Sequence, residues 1–429
     1  MSVPLAKKET QSLYNPQDFA SFAPDFQGGV RPGRLLPAFN RLLRYRMKKS
    51  LIALAFGTLG LGIAEFVMMA ILPYIAADLH ITIPTAGHLI SAYALGVCAG
   101  APLLTMARKL PLKNILLGLV AVMIAGNLFA SLAPNYWTMM MARFISGLPH
   151  GAYFGVASIV AEKLADKGKG SEAVSIMIAG MTIANLFGVP LGTSLSTLLS
   201  WRLTFLLVGV WGLIVLYYIW KWVPQVEGLP DTGFKGQFRF LKTKAPWLIL
   251  GATMLGNGGV FCWYSYINPL LTQVSGFPTE SVTLLMVLAG FGMVVGNLLG
   301  GRLSDIYTPG RVAAYTQLLL FMALLAIFFA APVGWLTVLL MCLCTAGLFA
   351  VSSPQQISII HFAKGGELLG AACVQVAFNL GNAIGAFLGG LPLEAGLDYR
   401  YPALIGAPLA LVGFVLLTLF YKKYESTKA

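Results

Sequence analysis

From residue 47 onward the chain alternates long apolar runs with short polar segments. The runs fall at 51–75, 87–106, 112–132, 136–160, 173–197, 202–222, 246–270, 281–300, 311–331, 334–358, 368–391 and 400–421. Each is close to the roughly 20 residues that a helix needs to cross the hydrocarbon core. The pattern predicts an all-α membrane protein with twelve transmembrane helices. An even number of crossings puts both ends on one side. The stretch between the sixth and seventh runs holds Pro224, Gly228, Pro230, Gly233 and Gly236 and reads as a linker. The expected organisation is therefore a tail over 1–46, a six-helix bundle over 47–222, a linker over 223–245 and a second six-helix bundle over 246–429.

The first run departs from the pattern. Ala53 to Pro73 is long enough to span, yet carries Glu65 near its middle. A carboxylate at that depth costs at least about 3 kcal/mol, so it belongs beside water or a partner. Gly57, Gly60 and Gly62 precede it and allow a neighbouring helix to come close. The fourth run carries Arg143, and Glu65 is the one acidic residue deep in any predicted span. The two are natural partners.

Charge then fixes the expected orientation. Lys and Arg crowd one set of connecting segments: Arg108, Lys109 and Lys113; Lys163, Lys167 and Lys169; Lys221 to Lys244; Arg302 and Arg311; Lys364; and Lys422, Lys423 and Lys428. The opposite set has only Arg202 and Arg400, at span edges. By the positive-inside rule both termini are expected in the cytoplasm, in a bacterial inner membrane. The chain is 57% hydrophobic and 10% charged, which removes a soluble globule from consideration. The net charge of +13 lies in these short segments, so it signals topology rather than nucleic-acid binding. The five cysteines (Cys98, Cys262, Cys342, Cys344 and Cys373) all sit in apolar runs and indicate no disulfide framework. No His or Cys stands near Cys342 and Cys344 to complete a zinc set, so neither a metal nor a cofactor is expected.

Residues 1–46 are polar, proline-bearing and end in a basic run; without an apolar h-region they are not a secretory signal. A disordered tail is the expected reading, and a short interfacial helix over 34–45 is the alternative.

The two halves look related. Gly100 to Leu116 resembles Gly296 to Val312, and NLFGVPLG at 185–192 resembles NLGNAIGAFLGG at 379–390. Duplicated bundles suit a carrier in which two bodies rock about a central site.

Four stretches carry a family resemblance. Gly301, Leu303 and Asp305, followed by Arg311, match a G-x-L-x-D…R loop. The corresponding loop of the first half is degenerate, with Ala107 in place of the acid and Arg108 after it. Arg143 and Gly147, with Pro149, His150 and Gly151 beyond, match an R-x-x-x-G pattern. Gly188, Pro190 and Gly192, followed by Trp201 and Arg202, resemble an antiporter motif in the fifth span, with Ala184 at an expected glycine. Glu65 and Phe66, then Leu72 and Pro73, complete the set. From Met47 to Tyr421 the chain resembles the major facilitator superfamily, within it the drug:proton antiporter-1 group and its AraJ-like, sugar-efflux branch. The resemblance implies the major facilitator fold of two pseudo-symmetric six-helix bundles, with spans three, six, nine and twelve outside the cavity. It also implies gating by Arg108, Asp305, Arg311, Gly188, Pro190 and Gly192.

In-span polar residues concentrate on the other helices. Span two has His88 and Tyr93, span four Arg143 and His150, and span five Asn185. Span seven has Asn257, Trp263, Tyr264 and Asn268, and span eight Asn297. Span ten has Gln355 and Gln356, and span eleven Gln375, Asn379 and Asn382. Amides bond hydroxyls and aromatic rings stack on an apolar sugar face, so the set suits a neutral polar solute such as a sugar or nucleoside. His88, Tyr93, Asn185, Asn257, Trp263, Tyr264, Asn297, Gln355, Gln375 and Asn379 are the expected substrate contacts.

The expected activity is proton-coupled export by a monomer, with a small molecule and protons as partners alongside the bilayer. Low dielectric favours protonated Glu65, Arg143 opposes this, and rocking changes the balance. His150 is a secondary relay. Multidrug efflux, uptake or an uncoupled carrier remain alternatives. An enzyme is not expected: no H-E-x-x-H, G-x-S-x-G or G-x-x-x-x-G-K pattern occurs.

Overall fold

The computed structural model describes residues 32–81 and 83–425, all of them helical or irregular, with no strand among them. Twelve helices are long and apolar enough to cross a membrane. In the first half they are span 1 (Lys48–Asp78), span 2 (Thr85–Ala107), span 3 (Leu112–Ser131), span 4 (Tyr136–Leu164), span 5 (Gly170–Ser196) and span 6 (Trp201–Trp222). In the second they are span 7 (Lys244–Tyr264), span 8 (Val282–Ile306), span 9 (Pro309–Ala330), span 10 (Gly334–Phe362), span 11 (Glu367–Glu394) and span 12 (Tyr401–Tyr424). Residues 32–46, expected as irregular tail, have a helical backbone. Their side chains, and so the proposed lipid-facing arrangement of 34–45, lie outside the described residues, as do residues 1–31 altogether.

Packing within the two halves corresponds pair for pair. Spans 2 and 4, and 3 and 6, pack in the first half; spans 8 and 10, and 9 and 12, in the second. Small residues make these seams. A Cβ added at Gly100 of span 2 would stand 1.9 Å from the Leu148 carbonyl oxygen, and one at Gly296 of span 8 would stand 2.0 Å from that of Ala346. Lipid tails are as apolar as leucine, so close backbone contact is what holds such helices together. Between the halves, span 5 packs on span 8, and spans 2 and 4 on span 11.

Prolines shape three helices. Span 5 passes through a π turn at Ala184–Gly188 just before Pro190. Span 10 is interrupted at Val351, ahead of Pro354. The seventh run was expected to continue to residue 270, but the helix ends at Tyr264 and resumes as a short Ile267–Pro269 turn. A proline offers no N–H and its ring crowds the carbonyl four residues back, which for Pro269 is that of Ser265. The linker is ordered rather than featureless, with a short helix at Gly233–Gln237 and a 3₁₀ turn at Arg239–Lys242.

Candidate functional site

Three spans bring the acidic and basic groups together. Glu65, Tyr93, Arg143 and His150 expose only 7%, 2%, 1% and 0% of their surface. Arg143 and His150 are seven positions apart, two helical turns, and so share a face of span 4. That face meets Glu65 from span 1 and Tyr93 from span 2.

The expected direct pairing of Glu65 with Arg143 takes another form. The ion-pair contact of the carboxylate is His150, with Nε2 3.6 Å from Glu65 Oε2. Arg143 donates from Nη1 to the Ala64 carbonyl at 2.9 Å and lays its guanidinium 4.4 Å from the Tyr93 ring centre. A guanidinium can bond in its plane and stack on its face at once, so the neighbouring carbonyl and the ring take up its charge. His150 is the hub. Tyr93 Oη lies 2.7 Å from its Nδ1, and Phe154 stacks on its ring at 5.1 Å and 14°. With Tyr93 donating to Nδ1, the other ring nitrogen carries the proton and points it at Glu65. The separation of 3.6 Å is longer than a hydrogen bond, and both atoms lack any other hydrogen-bond partner among the described residues. A slight approach would complete the bond. The cluster can therefore take, hold or release a proton between a carboxylate and an imidazole, with a cation alongside.

Phe154 also borders a gap between the halves. Thr253 and Asn257 of span 7, Ser352, Gln355 and Gln356 of span 10, and Gln375 of span 11 form its polar wall. The first half contributes Phe154, Ile178 and Met181, all apolar. The gap holds about 370 Å³ between atoms, with room for water in part of it. Asn257 Oδ1, Gln355 Nε2 and Gln375 Oε1 have unused hydrogen-bonding capacity. That is two acceptors and one donor, and a hydroxyl-bearing solute can satisfy both kinds.

Of the expected substrate contacts, Asn257, Gln355 and Gln375 border this gap. Asn379 lies one turn beyond, donating to the Gln375 carbonyl at 3.0 Å. Tyr93 belongs to the Glu65 cluster instead. Asn297 ties span 8 to span 5 by donating to the Ser175 carbonyl at 2.7 Å, and Asn185 donates to Met181 of its own helix at 3.1 Å. His88 is exposed at the start of span 2, 3.0 Å from Tyr136 Oη. Trp263 is buried and Tyr264 packs on Phe261, neither on the gap. Sequence reasoning missed Phe154, although it lies four residues from His150 and therefore on the same helix face.

The expected gating residues sit where the halves or helices meet. Both Asp305 oxygens accept backbone N–H groups at the start of span 5, from Ser171 at 2.8 Å and Glu172 at 2.7 Å. A carboxylate at a helix N-terminus is favoured by orphan donors and dipole together. Close by, His361 of span 10 meets Glu162 of span 4 at 2.5 Å. Arg108 pairs with Asp231 of the linker. Arg311 lies over the Tyr307 and Tyr315 rings, at 5.8 and 5.9 Å. A Cβ at Gly188 would be 2.4 Å from Ile63 Cγ1, and one at Gly192 2.6 Å from Val67 Cγ2. The Gly188–Pro190–Gly192 segment thus presses span 5 against span 1 on either side of Glu65.

Comparison with known proteins agrees with this architecture. Residues 54–372 match the family model described as Major Facilitator Superfamily. The chain is 47% identical over 386 residues to the putative transporter AraJ of Escherichia coli K12, covering 89% of this chain and 97% of that protein. It is 27% identical over 382 residues to a probable sugar efflux transporter of Helicobacter pylori J99, covering 88% and 95%. Its fold is similar to the crystal structure of the transporter FucP in the outward conformation, with a TM-score of 0.69, 17% identity, and coverage of 86% and 98%. These relatives are transporters and not enzymes. The chain is thus a multi-pass membrane transporter that belongs to the Major Facilitator Superfamily.

Proposed function

We propose that the protein exports a small neutral polar solute, a sugar or sugar-like molecule or a nucleoside, in exchange for protons. Both termini lie in the cytoplasm, as the Lys and Arg distribution favours. The observation that carries the reading is Phe154, which stacks on His150 of the buried Glu65 cluster and also borders the amide-walled gap. Proton and solute thus act on one stretch of span 4. The similarity to the probable sugar efflux transporter of Helicobacter pylori supports a sugar and the outward direction.

In the cytoplasm-closed state the cluster takes a proton from outside onto Glu65. Neutral Glu65 draws the facing His150 N–H less strongly than the carboxylate does, and span 4 shifts against span 11. The ties at Asp305 and Glu162 then part, solute enters from the cytoplasm, and the proton leaves on the same side. The second half supplies hydrogen bonds to the solute and the first half supplies the titrating groups. A panel of sugars and nucleosides loaded into proteoliposomes, with a pH gradient imposed, tests this. Gradient-driven movement of at least one solute supports the reading, and flux indifferent to the gradient for every solute refutes it.

A further inference from the structure

The second half fastens to the first through Asp305, but the first half has Ala107 where a matching acid would stand. The linker occupies that place. Arg108 donates from Nε to Asp231 Oδ1 at 2.7 Å, and Lys109 Nζ lies 3.9 Å from the other oxygen. Asp231 also accepts the Gly233 N–H at 2.9 Å, in a turn where Gly233 adopts φ +73°. Upstream, the linker holds to the first half again. Val226 accepts from the Leu112 N–H at 3.0 Å, and Glu227 from Lys163 Nζ at 3.4 Å.

The very next residue reaches the other half. Thr232 donates its hydroxyl to the Gly365 carbonyl, between spans 10 and 11, at 2.6 Å. Gln237, 2% exposed, donates to Thr232 Oγ1 at 3.1 Å. Gly366 is pressed onto the linker so closely that a Cβ there would stand 2.2 Å from the Gln237 carbonyl oxygen. Consecutive Cα atoms are about 3.8 Å apart and cannot stretch. Arg108 and Gly365 therefore cannot separate unless a contact of Asp231 or of Thr232 breaks.

We propose that Asp231 and Thr232 form a strap that latches this face closed, standing in for the acid absent at Ala107. The proposal rests on the alternating-access reading. Hydrogen–deuterium exchange of the full chain in lipid nanodiscs tests both. The expected result for Asp231→Asn is exchange about threefold faster at residues 171–175, which touch none of the strap, as well as within 226–243. Thr232→Val should act in the same direction, and the charge swap Arg108→Asp with Asp231→Arg should restore slow exchange at 171–175. Acceleration confined to 226–243, or a swap no better than the single variant, overturns the strap and leaves a local brace. Asp305→Asn, read at 361–367, separates the two ideas. If it opens the face and the strap variants do not, only the strap fails; if no variant opens it, the alternating-access reading fails as well.

Discussion

Glu65 and His150 face each other across 3.6 Å with unused hydrogen-bonding capacity. Both chemical identities were legible in the sequence, because an acid and a base deep in apolar runs demand an explanation. Their partnership was not. Span depth alone put Arg143 opposite Glu65, whereas the rotation of span 4 gives His150 the carboxylate and Arg143 the Tyr93 face. Arg143→Lys should therefore behave as a damaging change despite retaining charge, since an ammonium cannot both bond Ala64 and stack on Tyr93. A loss of about 2 kcal/mol, the size of a desolvated cation–π contact, should appear as a lower unfolding temperature in detergent. In the gap, Asn257→Ala or Gln355→Ala should each weaken apparent solute affinity about three- to tenfold while sparing the dependence on the pH gradient. Transport assays at varied solute concentration would read this as a rise in KM.

At the level of helices, periodic apolar runs located all twelve spans to within several residues, because bilayer thickness imposes length directly. Two of the mismatches occur ahead of prolines: the end of span 7 at Tyr264 and the break of span 10 at Val351 precede Pro269 and Pro354, whereas span 8 simply runs past residue 300 to Ile306. Hydropathy is blind to a missing N–H. The amides resisted reading for a related reason. Asn257 and Asn297 sit at similar depth in their helices, yet only Asn257 borders the gap, because helix rotation decides the outcome. The repeated glycines were more informative. Gly100→Val and Gly296→Val would drive a side chain into a neighbouring backbone, so each should destabilise its half by about 3 kcal/mol or more. Thermal unfolding of the two variants checks this, and a matched pair of losses would show that both seams bear equal weight.

For the whole molecule, the buried Glu65 cluster lies in the first half and the amides of the gap in the second, with Phe154 touching both. On one face the halves are joined by Asp305, by Glu162 with His361, and by the linker. The linker contact should be insensitive to pH in the working range. The Gly233 N–H first, and then Arg108, hold the Asp231 carboxyl below its ordinary value. A group with a lowered value contributes above the ordinary carboxylate range and loses its contribution only as pH falls through the lowered one. Exchange within 226–243 should therefore be unchanged between about pH 5 and 8 once corrected for intrinsic rates. Any pH dependence of transport over that interval should trace to the buried cluster or to the Glu162–His361 tie instead. The most direct measurement compares wild-type protein with Glu65→Gln in proteoliposomes, using whichever solute the wild type moves. A pH gradient is expected to drive accumulation in the wild type, while Glu65→Gln retains only gradient-independent exchange. Undiminished gradient-driven transport by Glu65→Gln would contradict it.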